Sequence, residues 1–128
     1  MKKSILISIL LISVSVLLSN KVVAQEDVMT RTVLVINAVV NQEHKQELQG
    51  YLSQMMKVFK DNGGNPLGRY KTIEKIKGSR VPEMIAIVSF ENAETIKKML
   101  EGDEYKSLSE LRERVFSDLK IVLCTELN

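Results

Sequence analysis

The feature that most constrains this chain is a helical stripe that runs into Asn62-Gly63-Gly64. From His44 onward, Leu48, Tyr51, Leu52, Met55, Met56 and Phe59 recur at spacings of 3, 1, 3, 1 and 3 residues. That rhythm lays one continuous apolar stripe along an amphipathic helix, with Lys45, Glu47, Lys57, Lys60 and Asp61 on the other side. Asn41-Gln42-Glu43 offers an N-cap and acid for the first turn. At the far end a glycine can take the left-handed conformation that closes a helix, and Pro66 keeps it from resuming. A helix with a single apolar side must lay that side on something.

The segments around it read as strands. Val33 to Val40 is almost entirely β-branched or aliphatic, the pattern of a strand buried on both faces. Asn37 interrupts it on the same face as Val33, Val35 and Val39, where a polar side chain needs a partner. After the glycines, Leu67 to Ile76 alternates raggedly, the pattern of an exposed or ligand-facing strand, and Lys77-Gly78-Ser79-Arg80 is a turn. Met84 to Phe90 is a second strongly apolar strand, with Pro82 tolerated near its start. Asn92 caps a second helix with the stripe Ala93, Ile96, Met99 and Leu100, which Gly102 stops. Glu104-Tyr105 opens a further helical piece whose apolar side is Leu108, Leu111, Val115 and Phe116, and Leu119 to Leu127 closes the chain as a strand.

The order β-α-β-β-α-(α)-β, in one copy, is that of a ferredoxin-like α+β fold: an antiparallel sheet with helices on one face. The first and third strands are apolar on both sides, yet helices cover only one. A second copy of the chain is the simplest cover for the other side, so the expected assembly is a homodimer with sheets packed face to face, a dimeric α+β barrel.

The N-terminus reads as an address. Met1-Lys2-Lys3 is a basic head, Ile5 to Leu18 an apolar run broken only by serines, and Val22-Val23-Ala24 a signal-peptidase site. Residues 1–24 are therefore expected to be a removable signal peptide and 25–128 a single domain, exported to a periplasm or secreted. The apolar run is shorter than the roughly 20 residues of a spanning helix, so no stable membrane anchor is expected after cleavage. Removing Lys2, Lys3 and Lys21 lowers the basic count from 18 to 15 against 16 acids, a net charge of −1. No basic stripe interleaved with aromatics remains, and nucleic acid is not an expected partner. Cys124 is the one cysteine, so an intramolecular disulfide is impossible. In the run Ile121-Val122-Leu123-Cys124 it reads as a small buried hydrophobe, with an intermolecular disulfide left open.

Several short pieces then line up with a known family. Asn62-Gly63-Gly64 followed by Gly68-Arg69-Tyr70, Ile87-Val88-Ser89-Phe90, and Glu104-Tyr105-Lys106-Ser107-Leu108 with Leu111-Arg112 resemble the domain of unknown function 1330 family. That family is similar to the dimeric α+β barrel proteins, among them the antibiotic-biosynthesis monooxygenases. The resemblance spans Val33 to Leu123 and implies the same barrel dimer, but no activity, because the family has none assigned. Relatives that degrade haem or oxidise polyketides rely on a tryptophan, which this chain lacks. Two positions depart from the family pattern. Asn65-Pro66-Leu67-Gly68 intervenes between Gly64 and Arg69, and Ser89 stands where an acid is usual.

Candidate chemistry is sparse. One histidine and one cysteine exclude multi-histidine metal sites and thiolate clusters, so no metal is expected. No glycine-rich phosphate loop follows a strand, and no nucleotide or other cofactor is expected. His44 reads as a surface histidine, and Glu101, Asp103 and Glu104 as a solvated helix end. Arg69, Tyr70 and Asn37 remain as candidate ligand-binding residues. An arginine beside a phenol can orient an anionic or carbonyl-bearing small molecule, although neighbours on a strand point to opposite faces. The reading is an exported dimeric α+β barrel with a small-molecule ligand. The alternative is a cofactor-independent monooxygenase- or isomerase-like enzyme.

Overall fold

The computed structural model describes residues 31–127, and the expected signal segment 1–24 lies outside them. Strand β1 is Thr32–Val40. Helix α1, Leu48–Asp61, leads to β2, Asn65–Lys71, and β3, Met84–Phe90. Helices α2 (Ala93–Glu101), α3 (Asp103–Ser107) and α4 (Ser109–Val115) precede β4, Phe116–Thr125. The sheet has the order β2-β3-β1-β4 with antiparallel pairing throughout, and it is ferredoxin-like as the element order implies.

The helix stop after α1 works through its glycines. Gly63 has φ +76°, its N–H donates to Lys60 O at 3.1 Å, and the Gly64 N–H donates to Phe59 O at 2.7 Å. This is a Schellman closure. Gly64 has a second constraint, because a Cβ there would lie 2.8 Å from the Phe90 ring and 2.9 Å from Phe59 O. The turn thus presses β2 against the Phe59–Phe90 edge-to-face pair, whose centroids are 6.2 Å apart.

Several boundaries differ from the sequence reading, four of them by a change of structure type or a break. The segment after the Asn41 cap is a 3-10 turn, Gln42–Glu47, because His44 departs to φ −119°, ψ 20°, and the α-helix starts only at Leu48. The second strand ends at Lys71 instead of Ile76. Thr72 leaves the ladder to close the β2–β3 loop, donating its N–H to Glu83 O at 2.9 Å and its hydroxyl to Pro82 O at 2.5 Å. Ile73 and Ile76, 97% and 88% exposed, lie on that loop. The third helical piece breaks at Leu108, which is buried between α3 and α4. The last strand begins at Phe116, which pairs with Val40 of β1 instead of ending the helix.

The core lies between the sheet and the helices. Leu34 and Ala38 of β1 and Val88 and Phe90 of β3 meet Tyr51, Met55, Val58 and Phe59 of α1, with Ile96, Met99 and Val115 from the later helices. The alternate residues, Val33, Val35 and Asn37 of β1 with Ile85 and Ile87 of β3, face the other way. Val122 extends this open face on β4 and is 47% exposed. Cys124, opposite Val33, lies on it half-buried.

Candidate functional site

A cavity of about 320 Å³ lies between the helix layer and the sheet. The α1 stripe forms one wall through Tyr51, Leu52, Met55 and Phe59, and Ile36, Ala86 and Ile121 of the sheet form the floor. Such a void arises because the α1 stripe meets the small Ala86 on the floor, where no large side chain fills the space. Met56 of α1 and Leu67 of β2, both exposed, stand at the rim beside the sheet edge. Leu67 is thrown outward by a bulge, since pairing with β3 skips from Pro66 to Gly68. Being on an edge strand, Pro66 costs no central ladder bond.

Polar groups on this apolar surface are few. Tyr51 is 5% exposed, and its hydroxyl accepts a hydrogen bond from Arg112 Nε at 3.1 Å. Its ring stands edge-on to Phe116 at 5.3 Å. Burial pushes the Tyr51 phenol above its ordinary pKa, while the Arg112 hydrogen bond works in the opposite direction. Arg112 itself is clamped, with Cζ 3.7 Å over the Tyr105 ring and Nη2 donating to the Tyr105 carbonyl at 2.8 Å. A charged donor so held fixes the position of the Tyr51 hydroxyl and leaves the hydroxyl's own proton unused in that bond.

The three residues singled out from sequence separate. Arg69 pairs with Ala86, whose other neighbour is Ile36, so it sits on the helix-side face and lines the cavity. Tyr70 pairs with Ile85 on the open face and is 55% exposed. Its ring folds back over Gly68, where a Cβ would lie 2.5 Å from the tyrosine hydroxyl. Asn37 also belongs to the open face, in a shallow depression with Arg80, Asp118 and Lys120. The sheet therefore divides Arg69 from Tyr70 and Asn37. His44 lies apart from the cavity, with Nδ1 2.8 Å from Glu47 Oε2, and Arg114 holds the other Glu47 oxygen at 3.2 Å. Those two hydrogen bonds, Arg114's first, hold the Glu47 carboxyl below its usual range.

Tyr51, Tyr105 and Arg112 are the site residues that sequence reasoning passed over. One signal was available: a phenol within a stripe otherwise built of Leu, Met and Phe needs a polar partner. Nothing in the spacing named Arg112, 61 residues away, as that partner.

The match to the domain of unknown function 1330 model covers residues 32–126. The chain belongs to the DUF1330 family. No curated protein matches it. Among solved structures it is similar to a protein of unknown function from Rhodopseudomonas palustris, with TM-score 0.66 and 12% identity over 84% of this chain and 93% of the other. A dabb-family protein with a ferredoxin-like fold from Mesorhizobium loti matches with TM-score 0.60 and 9% identity over 78% and 100% of the two chains. A candidate antibiotic biosynthesis monooxygenase from Nitrosomonas europaea matches with TM-score 0.52 and 10% identity over 76% and 90%. At these identities the likeness is one of fold. The DUF1330 chain thus shares the ferredoxin-like framework of the dabb and monooxygenase-like proteins.

Proposed function

We propose that this DUF1330 protein is an exported, homodimeric α+β barrel that binds a small, largely apolar molecule between its helices and its sheet. The observation that carries the reading is the 320 Å³ cavity, apolar on nearly every side and equipped with a buried, oriented phenol. Small-molecule sites have this character: apolar lining, few polar groups, and volumes from about 300 Å³ upward. The dimer is supported by the open face, where Val35, Ile85, Ile87 and Val122 form an apolar surface with no cover from the helices among the described residues. Export rests on the basic head, apolar run and Val22-Val23-Ala24 site of residues 1–24.

Native mass spectrometry of the purified protein tests the binding. A small molecule retained by the natural chain, and lost when Met56→Trp narrows the cavity rim, is the expected result. Retention unchanged by Met56→Trp would place the ligand elsewhere and end this reading. N-terminal sequencing of exported protein should begin at Gln25.

One observation favours a catalytic reading as second choice. A phenol kept protonated by burial and aimed by Arg112 can donate to an oxygen on which negative charge develops, as in enolisation of a carbonyl compound. Such an isomerase- or monooxygenase-like activity would be lost in Tyr51→Phe, whereas the same variant of a simple binder would still take up its ligand, with altered affinity.

A further inference from the structure

Arg69 lines more than the apolar cavity. It also borders a depression of about 330 Å³ farther along β2, lined by the apolar Val40, Leu48 and Met84 and by the charged Lys45, Lys71 and Glu83. Three cations therefore meet one acid there. The Glu83 carboxylate is already engaged, since its Oε2 accepts from the Val40 N–H at 3.2 Å. Among the described residues none of Lys45, Arg69 and Lys71 forms an ion pair. The cavity and this depression, with its rim of unpaired cations, thus share Arg69 and Met84 as their common wall.

We propose that the two chambers form one site for an amphipathic carboxylate: an unbranched apolar tail in the cavity and an acid head at Arg69, with Lys45 and Lys71 supplying the surrounding field. The inference rests on reading the cavity as a small-molecule site and adds the class of molecule. A guanidinium suits this head because its planar fork matches a carboxylate with two parallel hydrogen bonds. The two lysines act as flexible point charges, and long tails gain from the apolar floor at Ile36 and Ala86. A neutral amphiphile gains the tail contacts but leaves the three cations uncompensated. A cationic one meets repulsion.

Isothermal titration of the full mature chain with hexanoate, octanoate and decanoate tests this, with decanol and decyltrimethylammonium as head-group controls at fixed ionic strength. Each two-carbon extension should tighten binding about tenfold until the cavity is full. Decanoate should bind at least about tenfold tighter than decanol, and Arg69→Gln should remove that preference while leaving decanol unaffected. Arg69 is exposed on an edge strand, so the variant keeps the fold, which its unchanged melting temperature verifies. Met56→Trp should abolish the chain-length dependence. If decanol matches decanoate and Arg69→Gln changes neither, the anionic head is wrong and the cavity reading stands. If no amphiphile binds, or affinity ignores tail length, the cavity reading itself falls.

Discussion

The two faces of this sheet are built from similar residues and meet different fates. On the helix side, Leu34, Ala38 and Val88 disappear beneath α1 and α2 into a core that also leaves a cavity. On the other side, Val35, Ile85, Ile87 and Val122 form a comparable apolar surface that none of the described helices covers. The difference teaches that a strand pattern reports apolarity and not what covers it. Both faces satisfy the alternation of a strand, and only the three-dimensional placement of the helices tells the core face from the open one.

The sharpest way to break the comparison is to damage each face in turn. Leu34→Ala on the covered face should cost about 2–5 kcal/mol in urea unfolding, since it opens a cavity in a well-packed core, and should leave the oligomeric state alone. Ile87→Glu on the open face should do the reverse. It should weaken self-association by at least about a hundredfold, roughly 2.7 kcal/mol, with the helical circular dichroism intact. Size-exclusion chromatography with light scattering reads the mass. A natural chain that is already monomeric at micromolar concentration would show that something other than a second copy covers this face.

Smaller effects sharpen the contrast on the cavity side. Tyr51→Phe removes the acceptor of Arg112 Nε and should cost about 1–2 kcal/mol, measured by denaturant unfolding. The same phenol gives a pH signature. Its folded-state pKa is raised, so the folded chain holds the proton more tightly than the unfolded chain. Stability from this group is full below the ordinary tyrosine pKa and declines as pH rises through the raised value. Tyr51→Phe should flatten that alkaline decline. Gly63→Ala, at φ +76°, should cost about 1 kcal/mol through backbone strain alone, without touching either face.

Much of the fold was legible because it follows from short-range rules. The α1 stripe, the Asn41 and Asn92 caps and the glycine stop all depend on neighbours within a turn or two. Where the reading slipped, a distant partner had intervened. Phe116 looked like the end of a helical stripe and became strand because Val40 pairs with it. Ile73 and Ile76 looked like strand residues and became loop because Thr72 is tied back to Pro82 and Glu83. Among the candidate site residues, alternation correctly set Arg69 and Tyr70 on opposite faces, but it could not say which face held a cavity.

For the stripe ending at Asn62-Gly63-Gly64, the sequence by itself determined the helix, its stop and the ferredoxin-like order of elements around it. Periodicity and backbone sterics act locally and leave their mark in local sequence. The tertiary structure alone decided what the Tyr51 hydroxyl meets. That hydroxyl accepts from Arg112, 61 residues later, which is stacked on Tyr105 and held beside it. The tertiary structure likewise decided that Arg69 stands between the cavity and a second depression bordered by Lys45 and Lys71. A site is a set of distances between residues far apart in the chain, and those distances exist only once the chain has closed on itself.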